Sequence, residues 1–147
     1  MEFLNHAHGF TLGGLSTEFT MLAIAMVLYF VHLFIAINAI TAERGAKWNT
    51  GARDDTPPLK GKLPGRLDRA FQNYKETFVV FAAAAIALAV VGRHNGWTVW
   101  GAELYVAARI VYLPLYALGV PLLRTLVWLA GTIGIVLLIA ALLGLGG

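Results

Sequence analysis

Cysteine is absent from the chain. Its absence excludes a disulfide framework and a thiolate metal site. Any thiol chemistry performed here must use a thiol that arrives with a bound molecule. Charge is also scarce. Eight acidic and eleven basic side chains make up 13% of 147 residues. A soluble domain carries roughly 25%, so water is not this chain's only solvent. The N-terminus, MEFLNHAHGF, has no basic stretch. It does not read as a secretory signal, and the first apolar segment is expected to stay as an anchor. No internal repeat is present, and Ala82–Ala85 is the one low-complexity tract. The net charge of +3 is modest, and no nucleic-acid partner is expected. His6, His8 and His94 make no metal pattern beyond an isolated H-x-H, so no metal site is expected. The length fits one domain.

What is present is apolar: 59% of the residues are hydrophobic. Spanning a bilayer takes roughly 20 apolar residues. Four segments approach that: Phe19–Ala42, Phe78–Val91, Gly101–Leu118 and Leu126–Leu145. With their flanks they predict spans at about 17–43, 67–92, 100–118 and 121–145, and a loop at 44–66. Open sheets cannot sit in lipid, so the expected fold is all-α, an integral membrane four-helix bundle. Six of the eleven Lys and Arg lie in the first loop: Arg44, Lys47, Arg53, Lys60, Lys62 and Arg66. The positive-inside rule places that loop in the cytoplasm and both termini on the other side. Trp97 and Trp100 fit the opposite interface, either as anchors or as simple packing.

The stretch GRLDRAFQNYKETFVVFAAAAIALAVV, residues 65–91, joins a polar half to an apolar half with no Pro or Gly after Gly65. The apolar part, from Thr77 to Val91, spans about 22 Å as a helix, short of the roughly 30 Å hydrocarbon core. The polar half must supply the missing length. That places Asn73 and Glu76 at the cytoplasmic edge of the membrane or below it. Arg69, Asn73 and Glu76 stand at i, i+4 and i+7, on one helix face. Ionisable groups at such depth normally face the protein interior or a wet cavity.

The third segment repeats the theme. Tyr105, Arg109, Tyr112 and Tyr116 share one face, and Pro114 among them frees the carbonyl of Ile110. Arg124 opens the fourth segment. Arg109 is deep and needs a partner, and Glu76 is the nearest carboxylate by depth. Snorkelling accounts for Arg66, Lys75 and Arg93. His32 and Asn38 read as hydrogen-bonded packing residues.

These residues resemble a known pattern. RLDRAFQNYKETF is similar to the R-A-x-x-N-x-x-E-x-F signature of the MAPEG family, the membrane-associated proteins in eicosanoid and glutathione metabolism. ARIVYLPLYALGVPLLRTLVW is similar to that family's third helix, with an Arg at the head of the fourth. The resemblance covers nearly the whole chain and is nearest to bacterial members, which implies an inner-membrane location. It implies a homotrimer with glutathione between neighbouring subunits, near the cytoplasmic face. Arg69, Asn73 and Glu76 would hold the tripeptide, and Arg109, Tyr112 and Tyr116 would add contacts. Arg124 would be the catalytic group that stabilises the thiolate. Arg53 or Arg44 would supply one more basic contact.

The chemistry agrees with that assignment. Glutathione carries two carboxylates and an ammonium. Arg forks pair with carboxylates, and a nearby cation favours a thiolate. Two departures stand out: Thr77 occupies a position where eicosanoid-handling members often carry an aromatic hydroxyl, and the spacing from Tyr116 to Arg124 differs between branches. The implied activity is a glutathione-dependent transferase, or a peroxidase on the same thiolate, acting on a lipophilic small molecule drawn from the bilayer. The alternative is a non-catalytic member that binds a lipid or a protein. A transporter fits less well, since no inverted repeat is present.

Overall fold

The computed structural model describes residues 9–146, so His6 and His8 lie outside it. Five helices follow in order: α1 (Thr17–Arg44), α2 (Ala46–Thr50), α3 (Lys62–Val90), α4 (Gly96–Leu118) and α5 (Pro121–Leu142). No strand occurs among the described residues. α1, α3 and α5 are long and apolar enough to cross a membrane. α4 is not among them, because Glu103, Arg109 and three tyrosines dilute its apolar character. Large apolar side chains such as Phe34, Val79, Leu122 and Leu126 stand on the outer surface. A water-soluble monomer rarely exposes so much. The protein is an integral membrane protein.

The helix ends follow local chemistry. Ser16 caps α1 by accepting from the Phe19 N–H. α3 begins at Lys62, inside the stretch read as loop, and Pro64 falls in its first turn. A first-turn Pro costs little, because its missing N–H has no intrahelical partner there. The Glu43 carboxylate accepts from the N–H groups of Lys60 at 2.6 Å and Gly61 at 2.8 Å. It thereby satisfies donors at the α3 entrance and complements the helix dipole. Asn95 and Thr98 form a capping box that starts α4 at Gly96, ahead of the expected position. α4 continues through Pro114 to Leu118. Short α2, absent from the expectations, is held where the guanidinium groups of Arg44, at 4.5 Å, and Arg53, at 5.0 Å, lie over the Trp48 ring.

Two of the supposed snorkelling arginines cap helix ends instead. Arg93 donates to the carbonyls of Ala141 and Leu142 at the end of α5. Arg66 donates to the Ala117 carbonyl at the end of α4. Cations are favourable at helix C-termini. Arg66 also lies where a side chain on Gly119 would point, and Gly119 has φ of 75°. Glycine meets both demands of that turn.

α4 and α5 form a close antiparallel pair. A Cβ on Gly134 would sit 2.6 Å from the Gly101 carbonyl oxygen and 2.9 Å from the Tyr105 nitrogen. Small residues thus let the two backbones touch, which is how membrane helices gain contact without a hydrophobic drive. The main core joins α1, α3, α4 and α5 around Ala25, Phe81, Tyr105 and Leu138. A smaller cluster, Ala36, Leu67 and Phe71, lies towards the other end. Between the two, by chain position on α1, α3 and α4, comes a polar layer of His32, Asn73, Tyr74 and Arg109. Trp97 packs against the main core while Trp100 is exposed.

Candidate functional site

Arg109 lies at the centre of the polar layer and is 1% exposed. Its Nη1 donates to the Asn73 side-chain oxygen at 2.8 Å. Glu76 does not fill the expected role: its side chain is exposed, and no ion pair links it to Arg109. Asn73 stands at the edge of the buried face of α3, with Glu76 turned further out. A neutral amide also costs less to bury than a second ion. Arg109 Nε and Nη2 are buried without hydrogen-bond partners. Three tyrosine rings surround the guanidinium: Tyr74 at 6.0 Å, Tyr105 at 5.3 Å and Tyr112 at 5.2 Å. Their faces offset part of the cost of the buried cation.

The layer extends through α3 to α1. The Tyr74 hydroxyl donates to the Ala25 carbonyl at 2.6 Å. The His32 ring lies 4.5 Å from the Tyr74 ring, buried as expected, but its Nδ1 has no partner. Asn38 donates to the Phe34 carbonyl of its own helix. The Thr77 hydroxyl donates to the α3 backbone and lies 3.3 Å from the Tyr105 hydroxyl, so it serves the interior.

Beside this layer a cleft of about 240 Å³ opens between α3, α4 and α5, lined by Asn73, Tyr112, Tyr116, Arg124, Thr125 and Trp128. Asn73, Tyr112, Tyr116 and Arg124, from three helices, therefore share one space. The Arg124 guanidinium lies 4.5 Å over the Tyr116 ring, which meets the Tyr112 ring edge-on at 5.4 Å. Arg109 stands behind Asn73 and faces the protein interior. The remaining predicted residues lie elsewhere in this single chain. Arg69 lines a separate basic hollow of about 340 Å³ with Arg44, Lys62 and Asp68. Glu76 is on the outer surface. Arg53 is exposed in the loop, with its guanidinium donating to Asn49.

Sequence reasoning missed Thr125 and Trp128, although Trp128 follows Arg124 by one helical turn and shares its face. It also missed Glu18. That carboxylate is buried, accepts from the Thr98 hydroxyl, and lies 3.3 Å from His94 Nδ1, the one carboxylate–base contact of that kind among the described residues. It pins α1 to the start of α4, at the opposite end of the helices from Arg124.

The cleft can hold an anion against Arg124 and offer it hydroxyl and amide donors. The buried Arg109 adds fixed positive charge behind one wall. No curated protein and no solved structure matches the chain. The family model described as MAPEG family matches residues 21–144, most of the chain, and the protein belongs to the MAPEG family.

Proposed function

We propose that the protein is a membrane-bound glutathione-dependent transferase, with peroxidase chemistry open to the same thiolate. The observation that carries this reading is the cleft, in which Arg124 lies over Tyr116 and shares one space with Asn73 and Tyr112. In this reading the glutathione sulfur sits beside Arg124, which favours the thiolate as nucleophile. Tyr112, Tyr116 and Asn73 orient the tripeptide. Arg69 and Glu76 pair with a carboxylate and with the ammonium from an adjoining surface, and a loop arginine, Arg53 or Arg44, completes the set. The exposure of Arg69 and Glu76 in one chain suits a homotrimer in which glutathione lies between subunits. α4 then counts as a fourth span, screened from lipid by its neighbours. The electrophile is lipophilic and enters from the bilayer, in a bacterial inner membrane.

Isothermal titration with glutathione tests the reading. Absence of binding removes it and leaves a non-catalytic member of the family. Two variants separate the roles. Glu76→Gln is expected to weaken glutathione binding more than tenfold, since losing one partner of a desolvated charge pair costs roughly 2–5 kcal/mol. Arg124→Ala is expected to bind nearly normally, but to raise the pKa of the bound thiol and lower turnover. Thiolate absorbance against pH gives the readout. An unchanged titration and rate in Arg124→Ala would reduce that residue to a positive charge at the membrane surface.

The basic loop places both termini on the non-cytoplasmic side in this reading. A reporter fused after residue 147 is expected to be active only outside the cytoplasm, and cytoplasmic activity contradicts the topology.

A further inference from the structure

Two residues of the cleft have no part in the mechanism above: Thr125 and Trp128. The Thr125 hydroxyl donates to the Pro121 carbonyl of its own helix at 3.0 Å, so its proton is engaged. Trp128 is different. The other large groups of the cleft are matched to one another: Arg124 lies over Tyr116, and Tyr116 meets Tyr112. Trp128 has no aromatic or cationic partner among the described residues, yet it lines the same space. It is half-buried, so packing holds part of the ring while part faces the cleft. The two tyrosine rings are already engaged by Arg124, Arg109 and each other, and the other lining groups offer amide, hydroxyl or guanidinium. Trp128 offers an indole face one turn from Arg124.

Resting on the transferase reading, we propose that Trp128 is the specificity-determining wall of this cleft and selects flat, conjugated electrophiles over saturated ones. An indole face stacks best on another planar π-system, in offset or edge-on geometry. A ring drained of electrons by nitro or carbonyl groups suits it most.

With an activated aryl chloride, the thiolate sulfur forms a bond to the ring carbon bearing chlorine. Negative charge spreads into the ring and its nitro groups, beside Arg124. The carbon–chlorine bond then breaks and chloride leaves with the electron pair. The thiol proton has already gone to solvent. A saturated alkyl iodide undergoes the same exchange of sulfur for halide without a ring to stack.

The test compares 1-chloro-2,4-dinitrobenzene with 1-iodobutane, each with glutathione, in lipid nanodiscs. The quantity read is the ratio of the two kcat/KM values. Trp128→Leu is expected to lower the ratio at least tenfold, and Trp128→Phe, which keeps a flat ring, to hold it within about threefold. A ratio unmoved in Trp128→Leu, or lowered equally in Trp128→Phe, overturns the proposal. A second arm omits glutathione and measures saturable binding of unreactive 1,3-dinitrobenzene to the wild type and Trp128→Leu. Binding lost in Trp128→Leu supports the wall even if glutathione fails to bind, in which case only the transferase reading falls. Equal saturable binding, or none by either protein, overturns the wall.

Discussion

An Asn73→Ala variant is expected to melt well below the parent protein in detergent, in the complete absence of any thiol. The Asn73 side-chain oxygen is the one hydrogen-bond acceptor that Arg109 has found, and Arg109 Nε and Nη2 are already without partners. A hydrogen bond to a charged group contributes roughly 1.5–3 kcal/mol, and a charged donor left unsatisfied in a buried site loses at least that. The three tyrosine rings remain but accept no classical hydrogen bond. Asn73→Asp, which keeps an acceptor and adds a counter-charge, is expected to melt near the parent. Adding Arg109→Met to Asn73→Ala is expected to recover part of the loss, because an apolar chain of similar length needs no partner. The measurement is the apparent melting temperature of purified protein. Equal melting of Asn73→Ala and the parent would show that Arg109 finds another acceptor, and the central polar layer would need a different account. A glutathione-binding role for Asn73 cannot produce this result, since no glutathione is present.

A Gly134→Leu variant is expected to yield little or no folded protein. The first atom of its new side chain would lie 2.6 Å from the Gly101 oxygen and 2.9 Å from the Tyr105 nitrogen. Both obstacles are backbone, so no rotamer relieves them. α4 and α5 would have to separate, and Tyr105 would move with α4, away from Phe81, on which it now stacks at 4.1 Å. Overpacking costs typically 1–3 kcal/mol and more where nothing yields. Gly131→Ala is the control. Its Cβ would lie 3.3 Å from the Ala108 Cβ and 3.8 Å from Arg109 Nη2, contacts that a backbone shift of a few tenths of an ångström relieves. It is expected to fold with a small loss. Size-exclusion profiles in detergent distinguish the two, and a monodisperse Gly134→Leu peak would mean that the helices pack with more slack than these distances allow.

The helices were legible because their apolar runs are long. Their caps went unread: Ser16 starts α1, and Asn95 with Thr98 starts α4 ahead of the expected position, each by a local rule. Lys62 was not legible as a helix start, because the partner that completes it, Glu43, stands at the end of α1. Long-range capping leaves no spacing in the sequence to find. The site divides in the same way. Arg109, Tyr112 and Tyr116 were grouped by periodicity, since residues three or four apart on a helix share a face, whereas Arg124 was singled out by its place at the head of the next helix and by the family resemblance. The choice of Asn73 over Glu76 for Arg109 was not readable. It depends on how far α3 is rotated against α4, and one residue step turns a helix by about 100°. The Glu18–His94 pair was missed for a related reason: its members are far apart in the chain and meet only through the crossing of α1 and α4.

The two bonds from Glu43, together with the one from Arg44 to the Pro57 carbonyl at 2.5 Å, have a consequence for how this chain can lengthen. They tie the base of the α1–α3 connection. Its tip, from Arg53 to Thr56, is exposed. The span between the tied points is already closed, so chain added at the tip does not pull on either helix. Each doubling of a free loop costs only about 0.6 kcal/mol. An inserted epitope or a single backbone nick between Arg53 and Asp54 would leave α1 and α3 held at their shared base. The tip is thus a place where this gene can acquire length without disturbing α1 or α3, at the expense of the short α2 that Arg53 and Asp55 hold.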